Sequence, residues 1–316
     1  MEQYVIGIDV GGQTAKCGVV DARGTVLSQV IVKSNTQKDA KEFVDEVASA
    51  LNMMITDLGF EGKIKGIGVG APNGNYYTGN IETAPNVVWA KDCVVPLAKM
   101  LSEAMGGIPV ALTNDANAAA QGEMTYGVAK GMKHFIMITL GTGVGSGIIV
   151  DGKVLYGSDG LAGELGHATA VRGGRQCNCG RKGCLETYCS ATGVARTAKE
   201  WLESTDEPSL LRNEKEISSK TVYDAAKQGD ALAKRVFDYT GTILGEKLAD
   251  FVTFSAPQAI VLFGGLTRAK EFIDEPIRKA YKDSVLWMWK DTQILYSQLP
   301  ESDAAILGAS SLGWDF

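Results

Sequence analysis

The sequence contains no apolar run near the roughly 18 residues that would carry a helix across a bilayer, no low-complexity stretch and no long linker. Positive charge is in deficit, with 31 Lys and Arg against 37 Asp and Glu for a formal charge of −6. That balance argues against non-specific nucleic-acid binding, because displacing counterions from phosphates needs an electropositive footprint. The opening stretch from Met1 to Gly12 lacks the basic region, long apolar segment and small-residue cleavage site of a secretory signal. A cytoplasmic protein with neither a membrane nor a nucleic-acid partner is therefore expected. In that reducing setting structural disulfides are disfavoured, so grouped cysteines point to metal ligands or reactive thiols. Histidine is scarce, with 2 in the chain, and His134, between Lys133 and a strand, is given no role.

At 316 residues the chain is longer than a single core usually grows, so two domains are expected. Hydrophobic residues at 45% and charged residues at 22% suit a globular enzyme. An internal echo supports the division. "IDVGGQTAKCGVVD" from Ile8 and "ITLGTGVGSGIIVD" from Ile138 align at a constant offset of 130, pairing Gly11 with Gly141, Val20 with Val150 and Asp21 with Asp151. Each block reads as strand, glycine turn, strand, turn, strand, with Tyr4 to Asp9 and Phe135 to Leu140 as first strands. Elsewhere helices alternate with short strands. Asp39 to Leu58 sets Phe43, Val47, Leu51, Met54, Ile55 and Leu58 on one helical face. "IPVALTNDANAAAQGEMTYG" reads as a strand through Leu112, a cap at Asn114 and a helix ending near Gly127. Lys220 to Lys247 and the preceding "EPSLLRNEKEISS" read as helical with polar joints, and "AIVLFGGLTRA" as strand, turn, helix.

Backbone amides reach a polyphosphate only where side chains leave room, and glycine provides it. Alone, each of "DVGG", "LGTGVGSG" and "FGG" is more simply a structural turn. Three of them at strand ends, two related by the echo, point to one nucleotide gripped by both domains. Neither a GxxxxGK[ST] loop nor a dinucleotide fingerprint is present. Asp9, at the end of the first strand, could hold Mg²⁺ through water beside the phosphates. Asp115, in the first turn of a helix, could take a proton from an incoming hydroxyl; by itself it reads more readily as a capping residue.

His167, Cys177, Cys179 and Cys184 form H-x9-C-x-C-x4-C on a glycine-studded loop, a pattern suited to tetrahedral zinc. With all four positions filled by protein, no place remains for an activating water, so such a zinc would be structural and a zinc hydrolase is disfavoured. Buried unliganded cysteines, or a redox pair at Cys177 and Cys179, are the alternatives. Cys17, Cys93 and Cys189 read as small core residues. If one nitrogen of His167 binds zinc, the other must act as a donor beside Glu164, and the loop would also aim Glu186.

Together "GIDVGG", "TNDANAA", "LGTGVGSG", "GELGH" and "CNCGRKGCLE" resemble the ROK family of sugar kinases and repressors, from about Tyr4 to the C-terminal "AAILGAS". The resemblance implies an α/β, two-domain, actin-like ATPase fold. Residues 1–113 are expected to form a small domain on the nucleotide and sugar side, and 114–316 a larger one with the metal loop, its C-terminal helix packing back on the first. It further implies ATP-dependent transfer of a phosphoryl group to a hexose, commonly glucose at its 6-hydroxyl. Asp115 would be the base, and Asn86, Asn114, Glu164, His167 and Glu186 would contact sugar hydroxyls. ATP and Mg²⁺ would be held by Asp9, Gly11, Gly12, Gln13, Thr14, Lys16, Gly141, Thr142, Gly143, Gly264 and Gly265, with zinc on His167 and the three cysteines. A homo-oligomer, such as a dimer, is implied as well. Two departures stand out: Gln13 replaces the family's usual threonine, and "APNGNYYTGNIE" replaces the commoner Pro-Gly bordering the sugar. Fructose, mannose or an N-acylhexosamine are therefore alternative substrates, and a non-catalytic sugar sensor the alternative function. Repressor members carry a helix-turn-helix ahead of this body, for which the start at Tyr4 leaves no room.

Overall fold

The computed structural model describes residues 2–300 and 302–316. From the N-terminus come β1 (Tyr4–Val10), β2 (Thr14–Val20), β3 (Val26–Lys33), α1 (Ala40–Leu58) and β4 (Ile64–Ala71). Three short strands follow, β5 (Gly74–Asn75), β6 (Asn80–Glu82) and β7 (Val94–Val95), then α2 (Leu97–Ala104), β8 (Val110–Asn114) and α3 (Asp115–Tyr126). The opening pattern returns in β9 (Phe135–Leu140), β10 (Val144–Val150) and β11 (Lys153–Val154). Beyond the cysteine loop lie α4 (Glu186–Cys189), α5 (Ala191–Ser204), α6 (Ser219–Lys227), α7 (Ala231–Ser255), β12 (Ala259–Phe263), α8 (Lys270–Ser284), β13 (Gln293–Tyr296) and α9 (Ala304–Ser311).

Two five-stranded sheets have matching orders, β3-β2-β1-β4-β8 and β11-β10-β9-β12-β13. In the first, β1 pairs antiparallel with β2 and parallel with β4, which is parallel to β8. In the second, β12 runs parallel to both β9 and β13. The 130-residue echo is thus an echo of topology: each block supplies the central strand of its sheet and the neighbour beside it.

The chain divides into two compact units, one comprising Met1–Lys133, Gly147–Gly163 and Ser297–Phe316, the other His134–Ser146 and Glu164–Tyr296. Where the sequence put the domain division after residue 113, the first unit also takes in α3 and, from the end of the chain, α9.

In the first unit β1 is buried on both faces, which is why "YVIGIDV" reads as nearly unbroken apolar sequence. Ile6 and Ile8 join Phe43, Val47 and Leu51 of α1 and Leu101 of α2 in one core, whereas Val5 meets Ile306 and Leu307 of α9. Helix α1 starts where the Asp39 carboxylate accepts from Glu42 N at 2.9 Å and stops at Gly59, whose φ of 66° ends it in the left-handed region. Helix α9 approaches β1 and β4 backbone to backbone: a Cβ on Gly7 would collide with Ile306 O, and one on Gly68 with Ala309 O.

Two local expectations fail. Of residues 207–219, Leu210–Asn213 form a 3-10 turn and Ser219 alone enters a helix, α6, because Leu211 is the turn's one buried side chain and no apolar stripe exists to hold a longer helix. Cys93 is exposed rather than core, unlike Cys17 and Cys189; it sits in a loop just before β7, outside the sheet. Among the described residues no helix is long and apolar enough to cross a membrane.

The α9 contact sets a test. Gly68→Ala should lower stability by about 1–3 kcal/mol through overpacking against backbone that cannot retreat, seen as a lower urea midpoint, while Lys41→Ala on exposed α1 should stay within about 0.5 kcal/mol.

Candidate active site

In the first unit the strand ends gather one group of the expected residues. Asp9 lies opposite Lys16 across the β1/β2 pair and opposite Gly70 of β4. The turn after it is closed by Gly11 N donating to Thr14 O at 2.9 Å, and braced by the buried Ser34, whose hydroxyl donates to Gly11 O at 2.6 Å and whose N–H donates to Gln13 O at 2.9 Å. Gln13 and Thr14 stand exposed on this turn. Asn114 caps α3 with its side-chain oxygen 2.9 Å from Ala116 N, and Asp115 is the first helical residue. Asp115 Oδ1 accepts from the same Ala116 N–H at 2.7 Å, so the two side chains share the cap and the second Asp115 oxygen is left for other partners.

Gly70 is the member of this group that the sequence did not single out. A Cβ there would stand 3.7 Å from Asp115 Cα and 3.9 Å from Asp9 Oδ1. Both are ordinary contacts; the tight one would be with Ala118 Cβ at 3.2 Å, so the glycine lets α3 pack close to the strand end where both acids lie. The signal was available in "GVGAP", a glycine at the last turn of a buried strand. Burial, then the Asp115 charge, push the Asp9 carboxyl up to about 6 against the opposing pull of Lys16. Asp115 is likewise raised by loss of water around it, opposed by backbone N–H groups at the helix start, although its side chain keeps solvent access.

In the second unit the cysteine loop folds on itself. Ala170 N and Val171 N both donate to Gly183 O, at 2.7 and 3.1 Å, and Cys177 N donates to Arg181 O at 2.9 Å. These bonds bring one ligand atom each from His167, Cys177, Cys179 and Cys184 within 4.8 Å of one another. Cys177 Sγ lies 3.7 Å from His167 Nδ1, and Cys179 Sγ 3.6 Å from Cys184 Sγ. Ligands about 2.3 Å from a tetrahedral cation are about 3.8 Å apart, so the donor set has the spacing and the softness for zinc. With Nδ1 facing the sulfurs, His167 Nε2 points the other way and lies 3.9 Å from Glu164 Oε2.

Glu186 ties this loop to the glycine turn after β9. Its Oε2 accepts from Val144 N at 3.0 Å, and Gly143 has no room for a Cβ beside that carboxylate. The same turn is backed by α5, where Ala191 N donates to Gly141 O at 2.8 Å and the Thr192 hydroxyl to Thr142 O at 2.9 Å. Gly264, with φ at 106°, packs on the Leu140 backbone, so the Gly264–Gly265 turn lies next to Gly141. Arg175 was overlooked in the sequence. Its guanidinium, 8% exposed, pairs with Glu200 at 2.6 Å, donates to Thr187 O at 2.7 Å and lies over the Tyr188 ring at 4.5 Å, fastening the loop to α4 and α5.

The raised pKa of Asp9 has a consequence for stability. An acid whose pKa is higher folded than unfolded binds its proton more tightly when folded. The cost of ionising it is absent below pH about 4 and complete above about 6, a window set by 3.8 and about 6. In protein free of nucleotide and divalent cation, Asp9→Asn should therefore stabilise the fold at pH 7.5, by up to about 3 kcal/mol at about 1.36 kcal/mol per unit. Urea unfolding should show that gain vanish at pH 4.

The ROK family model matches residues 5–315. The chain is 35% identical to a glucokinase of Halalkalibacterium halodurans, over 99% of this chain and 94% of that one. A ROK hexokinase from Thermus thermophilus superposes with a TM-score of 0.85 at 30% identity, covering 99% of this chain and 98% of that one. A ROK family glucokinase from Streptomyces griseus, solved in complex with glucose and AMPPNP, superposes with a TM-score of 0.79 at 33% identity, covering 99% and 100%. With its glycine turns, paired carboxylates and cysteine loop carried on the actin-like ATPase fold of these neighbours, the chain belongs to the ROK family.

Proposed function

We propose that the protein is an ATP-dependent glucokinase, converting glucose and ATP to glucose 6-phosphate and ADP. The observation that carries this reading is the Asp115 carboxylate, solvent-accessible at the start of α3 and set beside Asp9, in a chain 35% identical to a glucokinase along nearly its whole length.

Asp115 accepts the proton of the attacking hydroxyl. Burial raises its pKa, which makes it a better base than an ordinary aspartate, and the backbone N–H groups at the helix start oppose that rise. Asn114 spends its side-chain oxygen on Ala116 N, which leaves its amide N–H groups for a sugar hydroxyl. Asn86, Glu164, His167 and Glu186 take further hydroxyls; Glu164 accepts, and His167 donates through the nitrogen turned away from the sulfurs. The glycine turns at 11–12, 141–143 and 264–265, with Gln13, Thr14 and Lys16, hold the ATP phosphates, and Asp9 holds Mg²⁺ through water. When bound, Mg²⁺ neutralises charge that develops on the phosphates during transfer. His167, Cys177, Cys179 and Cys184 hold a structural zinc, for which their spacing is suited.

A second reading, a sugar sensor without transfer activity, draws on Gln13, exposed on the glycine turn where the family resemblance implies threonine. ADP release measured with glucose, fructose, mannose and N-acetylated hexosamines separates the two, with glucose expected to be the best substrate and no turnover on any sugar refuting the kinase. Asp115→Asn should lower kcat by about 10²- to 10⁴-fold with calorimetric glucose affinity changed only a few-fold. Elemental analysis should find about one zinc per chain, lost in Cys184→Ser; a metal-free, fully active protein would refute the zinc assignment.

A further inference from the structure

The segment that carries Asn86 is a small closed loop held from two sides. Ala84 N donates to Ala90 O at 2.9 Å and Val87 N to Ala84 O at 3.0 Å. Ala84, Val87 and Ala90 are fully buried, leaving Asn86 exposed at the tip. On one side Trp89 stacks on Phe43 with ring centroids 4.5 Å apart, and its indole N–H donates to Ser34 O at 3.1 Å. The Ser34 hydroxyl in turn holds Gly11 O. The loop and the phosphate turn are in contact, since a Cβ on Gly12 would collide with Asn86 O.

Asn73 holds the other side. Its carbonyl accepts from Glu82 N at 3.0 Å, and its side-chain amide donates to Thr83 O at 2.8 Å. Both ends of this clamp have left-handed backbone, with φ of 52° at Asn73 and 51° at Thr83. Asparagine tolerates that region. Threonine, branched at Cβ, occupies it only where its surroundings impose it, and such strain concentrates at ligand sites.

We infer that Asn73 is a positioning residue for the sugar site: its side-chain amide keeps Thr83 in the strained turn and thereby sets where Asn86 stands against the Gly11–Gly12 turn. The inference rests on the reading of Asn86 as a sugar contact. Position 73 follows Pro72, where Pro-Gly was the commoner pattern. Asparagine preserves the left-handed backbone a glycine would adopt and adds a donor that glycine lacks. The departure in "APNGNYY" is then a change in how firmly the sugar side of the site is held, not a lost turn.

Asn73→Gly keeps the backbone and removes the donor; Asn73→Asp keeps the size and replaces the donor with an acceptor. Both should raise the glucose KM by about two- to tenfold, the factor corresponding to one net hydrogen bond, with kcat and the ATP KM within about twofold. Amide hydrogen exchange should quicken at Ala84 and Val87 in both variants but not at Glu82, whose acceptor is the backbone carbonyl of residue 73. Unchanged glucose KM and unchanged exchange in both variants overturn the inference, as does an equal rise in the KM for ATP, the mark of general loosening. Wild-type protein that phosphorylates no hexose overturns the function proposed above instead, and the exchange comparison alone then decides whether Asn73 holds the segment.

Discussion

Helix α9 rests directly on the backbone of β1 and β4, and the placement of the carboxylates depends on that contact. Side chains at 7 and 68 would lift the helix off the sheet. The same helix meets α3, where Gly122 faces Gly308 with room for nothing larger. One C-terminal element therefore fixes the strand that ends in Asp9 and the helix that begins with Asp115. Gly70 adds to the arrangement by letting Ala118 of α3 approach the end of β4 closely.

The second unit reaches a comparable rigidity by different means. Its cysteine loop has little apolar surface of its own and is held by backbone bonds to Gly183 O, by the four convergent ligand atoms and by Arg175. A guanidinium this buried requires its charge and its donors to be answered, and Glu200, Thr197 and the Thr187 carbonyl do so. Glu186, one position before Thr187, is held in turn by Val144 N, which donates to its Oε2 at 3.0 Å. The cysteine loop and the glycine turn at 141–143 are thereby joined through one carboxylate.

Pattern explains which parts could be read in advance. The α1 stripe, the burial of β1 and the 130-residue echo are periodic, and periodicity survives without knowledge of neighbours. The grouping of His167, Cys177, Cys179 and Cys184 was legible because their spacing is short and their side chains chemically rare in this chain. The segment at 207–219 was misread because charged residues with high helix propensity carry no information about whether a partner surface exists. Arg175 escaped notice because arginine in a glycine-rich loop looks like solvated surface until α5 is packed beside it.

By itself the sequence determined most strand and helix segments, the repeated glycine turns and the grouping of His167 with three cysteines, since each is a property of residues close together in the chain. Only the tertiary structure decided that α9 returns to β1 across nearly the whole chain, that Asp9 and Asp115 come near each other beside Gly70, and that Asn73 reaches Thr83. Those are contacts between backbones or lone polar groups remote in sequence. They leave no periodic trace, because a missing side chain or a single amide has meaning only against the surface it meets.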